Sequence, residues 1–190
     1  MFRKKINFKG RKIALLAIAA VLMTIGCQKD DICPESTATT PLIKVLFFDA
    51  ENTDQNDPKS AINLKVKAQI IENDLITRST VSAINLPLNT NVGENTNVGA
   101  TTYEFTEYAR VSGDTEPNTE NPPNTDVLRI TYSIAEEYLN RACGYRVLYN
   151  NIQVEISEPE DDTSGNWITN ITVQDSIIDN ETTTYFFIYH

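Results

Sequence analysis

Histidine is almost missing from this sequence of 190 residues: His190, the last residue, is the only one. Serine and cysteine hydrolases activate their nucleophile with a rigidly held imidazole, which the end of a chain rarely provides. Structural and catalytic zinc sites are built mainly from histidine and cysteine, and there are only three cysteines. The sequence therefore argues against histidine-based catalysis, and it predicts no metal site and no cofactor.

Basic residues are also few, and they are unevenly placed. Six of the 16 lie in the first twelve positions, which contain no acidic residue, so the rest of the chain carries a formal charge of about −16. A chain this acidic repels the phosphate backbone of nucleic acids, which argues against nucleic-acid binding. The hydrophobic content of 41% is that of a globular protein.

The sequence has no apolar run long enough to span a membrane. The uncharged, mostly apolar run Ile13–Ile25 has thirteen residues, whereas a transmembrane helix needs about 20. A basic segment followed by a short apolar run is typical of a secretory signal peptide. We therefore expect residues 1–26 to be a leader that is not part of the fold.

The apolar run ends in Thr24-Ile25-Gly26-Cys27, which resembles the lipobox of bacterial lipoproteins. In that motif a small residue precedes a cysteine whose thiol receives diacylglycerol; Thr24 stands where leucine is usual. The resemblance implies lipidation of Cys27, with a further acyl chain such as palmitate on the new amino terminus. Two or three acyl chains give stable membrane anchoring. An ordinary secretory leader with an incidental cysteine is the alternative.

The next four residues are Gln28, Lys29, Asp30 and Asp31. They resemble the short acidic export signal that lipoproteins of Bacteroidota carry directly after the lipidated cysteine. This resemblance implies a lipidated tether over residues 27–40, anchored in the outer membrane with the protein facing the cell exterior. The alternative is a solvated polar linker.

Two thiols remain once Cys27 is lipidated, those of Cys33 and Cys143. Exported proteins meet an oxidising compartment, where an even pair of cysteines usually bridges. We therefore predict a Cys33–Cys143 disulfide; two buried free thiols are the alternative. Such a bridge would close a loop of about 110 residues, which the chain-entropy model values at about 4–5 kcal/mol.

Residues 41–190 have the pattern of a single β domain. Ala61–Ile71 alternates apolar and polar side chains, as a half-buried strand does. Eight or nine short segments of this kind, with no convincing amphipathic helix, predict an all-β fold, an antiparallel immunoglobulin-like β-sandwich of about 7–9 strands. A hairpin is expected between strands Tyr145–Tyr149 and Ile152–Ile156, with its turn at Asn150 and Asn151.

The sequence resembles an uncharacterised family of outer-membrane lipoproteins of Bacteroidota in three segments, residues 27–41, 86–89 and 140–145. Their most specific parts are Asp-Asp-Ile-Cys-Pro around Cys33 and Arg-Ala-Cys-Gly around Cys143. The resemblance covers essentially the whole chain after residue 26 and transfers no active site. It also supports the predicted cysteine pair, because each cysteine lies in one of these segments.

Catalysis without histidine would need a carboxylate pair, as in glycoside hydrolysis. The spacing of the acidic residues does not distinguish such a pair from a solvated acidic face. The nominal candidates are Asp49, Glu51, Glu104, Glu107, Glu136 and Glu137.

Two acidic loops, residues 49–57 and 158–162, have the oxygen ligands that calcium prefers. The first lacks the glycine and the final acid of an EF-hand loop, so a solvated loop is the preferred interpretation. Trp167, Tyr103 and Tyr108 could line a glycan platform, although Trp167 begins an apolar segment typical of a core.

These observations favour a surface-exposed, lipid-anchored, non-catalytic lipoprotein that binds a protein or glycan partner at the outer membrane. A carboxylate-based glycan hydrolase and a purely structural envelope protein are the alternatives.

Overall fold

The computed structural model describes residues 32–52, 57–71, 73–92, 96–110, 120–159 and 164–190. The predicted leader (residues 1–26), the predicted lipidation site Cys27 and the predicted export signal (residues 28–31) lie outside them. No helix within the described ranges is long and apolar enough to cross a membrane.

Nine β-strands, and no helix, occur in the described ranges. In chain order they are β1 (Ile43–Phe48), β2 (Ala61–Ala68), β3 (Asp74–Val81), β4 (Ala83–Leu86), β5 (Val98–Glu107), β6 (Asn124–Asn140), β7 (Gly144–Ser157), β8 (Asn170–Val173) and β9 (Thr184–Tyr189).

The strands form two sheets. One has four strands in the order β4-β1-β9-β8, and the other has five in the order β3-β2-β5-β6-β7. In the four-stranded sheet, β1 and β9 run parallel, with Val45 opposite Phe186 and Phe48 opposite Tyr189, while the outer pairs are antiparallel. The two central strands are almost continuously apolar, as strands buried on both faces are.

The two sheets bury their apolar faces in one core. Val45, Phe47 and Ile188 from the four-stranded sheet join Phe105 and Leu128 from the five-stranded sheet, all fully buried. In β5 and β6 the side chains alternate between this core and the other face, as the period of two requires. The predicted all-β sandwich is confirmed.

The predicted turn at Asn150 and Asn151 is wrong, because both residues lie inside the continuous strand β7. Asn151 adopts a left-handed backbone conformation with φ of 54°, which asparagine tolerates better than most residues. Its Nδ2 donates to Ser133 Oγ at 2.9 Å. The pair Asn150 and Asn151, which suggests a turn in the sequence, is therefore an irregularity within strand β7.

The chain divides into two compact units. The larger comprises Ala38–Tyr138 and Tyr145–His190, and the described residues of the smaller are 32–37 and Leu139–Gly144. In the smaller unit, Cys33 and Cys143 form a disulfide, with Cα atoms 4.9 Å apart, so the predicted bridge is confirmed. Asn140 Oδ1 accepts hydrogen bonds from the N–H groups of residues 142 and 143 and stabilises the turn between β6 and β7.

Three buried tyrosines of the five-stranded sheet hold the segment that follows β4. The Tyr103 hydroxyl donates to the backbone oxygen of residue 87. The Tyr149 hydroxyl donates to the backbone oxygen of residue 88, and the Tyr132 hydroxyl donates to that of residue 89. The Tyr132 bond is 2.7 Å long and the Tyr149 bond 3.4 Å. Burial raises the pKa of all three phenols, that of Tyr149 to about 12.

Candidate functional site

A cleft of about 360 Å³ opens beside the end of β5. It is lined by Glu107, Tyr108, residues 120–124, Ser164 and Trp167. These residues come from three stretches that are far apart in the sequence, the end of β5, the approach to β6 and the segment before β8. We refer to this set of residues as the Glu107 cleft.

The position of Glu107 follows from the alternation in β5. Tyr103, Phe105 and Glu107 share the buried face of the strand, and Glu107 is the last residue of β5. Tyr108 then adopts a left-handed conformation with φ of 53°, and its N–H donates to Ile62 O at 2.9 Å. The strand therefore ends with a carboxyl group on the buried face and the next side chain at the cleft.

Glu107 is a nearly buried carboxyl group, with 8% of its surface exposed. Its Oε1 accepts a hydrogen bond from the N–H of Ile62 at 3.3 Å and lies 3.6 Å from Nδ1 of His190. Burial raises the pKa of Glu107, while the Ile62 N–H and the charge of Lys59 oppose that rise. Glu107 therefore binds a proton more readily than an exposed glutamate.

His190 is firmly held, so the expectation of a loosely held final residue is wrong. Its N–H donates to Phe48 O at 3.0 Å, and its backbone oxygen accepts from Ala50 N and from Lys59 Nζ. The imidazole is 4% exposed and meets the Trp167 ring edge-on at 5.4 Å. The reason is that β9 is a central strand, whose pairing with β1 carries the chain into the core up to this residue. Burial lowers the pKa of His190 and favours its neutral form.

Trp167 is half-buried, packs against the core and also lines the cleft. Its Nε1 donates to Phe105 O at 3.0 Å, which fixes the indole next to β5. Tyr103 is fully buried, so the three-residue glycan platform suggested by the sequence is wrong for Tyr103. Only Trp167 and Tyr108 of that set lie at the cleft.

Among the six carboxylates considered in the sequence, Glu107 alone lines the Glu107 cleft. Asp49 is paired with Lys59, with Nζ and Oδ1 3.3 Å apart, and Glu137 is paired with Arg146. The second carboxyl group at the cleft is that of Glu120. Glu120 lies in a polar, proline-rich stretch, where no sequence pattern separates it from the other acidic loop residues.

The acidic loops considered for calcium fall partly outside the described residues, at positions 53–56 and 160–163. Among the residues that the structure describes, no group of three histidine, cysteine, aspartate or glutamate side chains is placed to hold a metal ion.

The cleft lining is rich in hydrogen-bond acceptors. Glu107 and Glu120 contribute carboxyl groups, and no lysine, arginine or histidine is among the described residues that line the cleft. Asn124 donates from Nδ2 to Gly165 O at 2.9 Å, whereas its buried Oδ1 has no hydrogen-bond partner in the part of the chain that the structure describes. The described lining of the cleft is therefore acidic.

Substitution of Glu107 tests its placement. We expect Glu107→Gln to keep the free energy of unfolding at pH 7 within about 1 kcal/mol of the wild type or to raise it, because Gln retains an acceptor for the Ile62 N–H and removes a desolvated charge. Glu107→Leu should lower it by about 1–3 kcal/mol, because that N–H loses its partner. Urea denaturation measures both; equal stability of the two variants would contradict the assigned contact.

A family model described as "Family of unknown function (DUF6452)" matches residues 63–190. The matched range includes every residue of the Glu107 cleft. No match is found among curated proteins or among solved structures.

Proposed function

This chain belongs to that family of unknown function, and we propose that it is a surface-exposed, lipid-anchored lipoprotein. Its β-sandwich binds a protein or glycan partner without catalysing a reaction. The expected membership of an uncharacterised family is confirmed. The lipid anchor, the outer membrane and the partner are parts of the proposal.

The observation that carries the binding function is the Glu107 cleft. Ligand sites are concave, combine apolar and aromatic walls with a few polar groups, and typically have volumes of a few hundred Å³. The cleft has about 360 Å³, the rings of Tyr108 and Trp167, and the carboxyl groups of Glu107 and Glu120. It also contains a carboxyl group whose pKa is raised by burial, a feature that is common at functional sites.

The Cys33–Cys143 disulfide supports the proposal of export. Stable disulfides are typical of proteins that fold outside the cytosol, and this bridge joins residues 110 positions apart. Cys27 lies six residues before Cys33, after a basic and an apolar segment. An exported chain with a cysteine at that place has the arrangement of a lipoprotein, and acyl chains on Cys27 would hold it at the membrane.

The anchor is tested by Cys27→Ser in the native host. We expect the wild-type protein in the membrane fraction and nearly all of the variant in the soluble fraction, because the thiol that carries the lipid is gone. Fractionation by ultracentrifugation followed by immunoblotting measures the distribution. The anchor would be ruled out if Cys27→Ser stayed in the membrane fraction to the same extent as the wild type.

The export signal has a separate readout. A variant with alanine at Lys29, Asp30 and Asp31 should stay in the membrane fraction but become protected from protease added to whole cells. Wild-type protein should be digested in the same experiment. Equal protection of both proteins would contradict display on the cell surface and would leave the anchor intact.

A carboxylate-based glycan hydrolase is the second candidate, favoured by the presence of Glu107 and Glu120 in one cleft. A carboxyl group with a raised pKa suits a general acid, and a second carboxylate is the other requirement of this chemistry. Release of reducing ends from a polysaccharide by the purified protein would favour the hydrolase over the binding domain.

A further inference from the structure

We propose that Tyr138 and Tyr145 contact the surface of the lipid bilayer in which the chain is anchored. The two tyrosines flank the turn between β6 and β7, which are neighbouring strands of the five-stranded sheet. This inference rests on the proposed lipid anchor at Cys27 and adds a second, non-covalent contact with the membrane. The contact fixes the orientation of the domain, which a lipid anchor alone does not.

The first argument is an exposed pair of aromatic rings. Tyr138 is 57% exposed and Tyr145 is 66% exposed, and their ring centroids lie 5.1 Å apart. Among the large apolar side chains that are exposed in the described ranges, only these two are aromatic. Tyrosine combines an apolar ring with a polar hydroxyl, and it is enriched where a membrane meets water. A lipid surface suits both parts of these side chains.

The second argument is the short covalent path from the lipid. Cys27 precedes Cys33 by six residues, which span at most about 20 Å. Cys33 is bridged to Cys143, with Cα atoms 4.9 Å apart, and Tyr145 follows two residues later, at most about 7 Å away. The backbone of Tyr145 therefore lies no more than about 32 Å from that of Cys27, whatever path the chain takes. The bridge thus keeps the tyrosine pair near the lipid.

The charges beside the turn do not oppose its approach to lipid, although the chain as a whole is acidic. Glu137 is paired with Arg146, so these two side chains together carry no net charge. Arg141 lies in the turn and is exposed, and a positive charge there is attracted to the phosphate of lipid headgroups. Glu136 is also exposed, but it lies two residues farther from the turn than Tyr138.

A weak contact is sufficient, because the anchor already holds the chain at the bilayer. A tethered group meets its partner at a high effective concentration. The other end of β6 lies fourteen residues before Tyr138, at Asn124, which is about 45 Å of strand. Asn124 lines the Glu107 cleft. The contact therefore holds the turn at the lipid and leaves the cleft at the opposite end of β6, where a partner can reach it.

Quenching of tryptophan fluorescence by brominated lipid tests the contact. The lipidated protein, purified from host membranes, is reconstituted into phosphatidylcholine vesicles with and without bromine on the acyl chains. Trp167 is the only tryptophan of the chain and lines the cleft, so bromine should hardly change the wild-type emission. Tyr145→Trp adds an indole at the proposed contact, and we expect bromine to reduce its emission by about five times as much as that of the wild type.

Three further variants distinguish contact from proximity. Gln153→Trp places the added indole at an exposed position of β7, eight residues farther from the turn than Tyr145, and we expect it to behave like the wild type. Tyr138→Asp, combined with Tyr145→Trp, introduces a charge that is costly to place in a bilayer, and we expect it to reduce the quenching to about half or less. Gln153→Asp, combined with Tyr145→Trp, is the matched control and should change nothing. Circular dichroism checks that every variant retains the β fold.

Flotation of the vesicles measures the anchor in the same samples. Protein that does not float would contradict the anchor and the contact together. If the protein floats but bromine quenches Tyr145→Trp no more than the wild type, or Tyr138→Asp leaves the quenching unchanged, the contact is overturned and the anchor stands. A blue shift of the Tyr145→Trp emission that grows with protein density, without quenching by bromine, would also overturn the contact and would identify a second copy of the chain as the occupant.

Discussion

Removal of the Cys33–Cys143 disulfide is expected to lower the free energy of unfolding by about 4–5 kcal/mol, as the loop-entropy relation gives for a bridge of this span. The bridge restricts the unfolded chain by tying together residues 110 positions apart. Small domains are stable by about 5–15 kcal/mol in total, so this loss is a large fraction of the stability. The variant is the double substitution Cys33→Ser with Cys143→Ser, which also avoids leaving an unpaired thiol.

Urea denaturation of the variant and of the oxidised wild type measures the difference. Wild-type protein in the presence of a reductant is the matched control, and its unfolding curve should move to that of the variant. Cys27→Ser should leave the curve unchanged, because Cys27 is not part of the bridge. If the variant and the oxidised wild type unfolded at the same urea concentration, the bridge would have no stabilising role.

Alkaline pH is expected to unfold this protein through the three buried tyrosines. The pKa values of Tyr103, Tyr132 and Tyr149 are raised in the folded state, that of Tyr149 to about 12, whereas an unfolded tyrosine titrates near 10. Between these values the unfolded chain loses protons that the folded chain keeps. Stability is therefore fully present below about pH 10 and falls as pH rises toward the folded pKa values.

Thermal unfolding followed by circular dichroism between pH 8 and pH 12 measures this fall. Tyr149→Phe should lose less stability between pH 10 and pH 12 than the wild type, because one of the three phenols no longer titrates. Tyr138→Phe is the control. Tyr138 is 57% exposed, and loss of its hydroxyl should leave the dependence of thermal stability on pH unchanged. A profile for Tyr149→Phe that superimposes on that of the wild type would contradict the role of its buried hydroxyl.

The strands could be predicted from the sequence because the period-two pattern is a local property of the chain. In β5, Tyr103, Phe105 and Glu107 stand at alternate positions, and the structure buries all three. The pattern carries no information on strand direction, so it could not predict that β1 and β9 run parallel. Asn150 and Asn151 suggest a turn because asparagine favours turns, but asparagine is also tolerated at a left-handed position within a strand, as Asn151 shows in β7.

The cysteine pair could also be predicted, since only two thiols are left to pair if Cys27 is lipidated as proposed. The Glu107 cleft could not. Its parts are Glu107, Tyr108, residues 120–124, Ser164 and Trp167, and only the folding of two sheets brings them together. The burial of His190 could not be predicted either, because it follows from the central place of β9 in its sheet.

The Cys33–Cys143 bridge also determines which part of the chain can be mechanically extended. All of β1 to β6 lies between the two cysteines, inside the covalently closed loop. A pulling force applied between the segment before Cys33 and the end of the sequence passes through the sulfur atoms and bypasses that loop. On the far side of the bridge, residues 144–190, with β7, β8 and β9, can be drawn out while the bridge is intact. The oxidised protein therefore shields six of its nine described strands from tension.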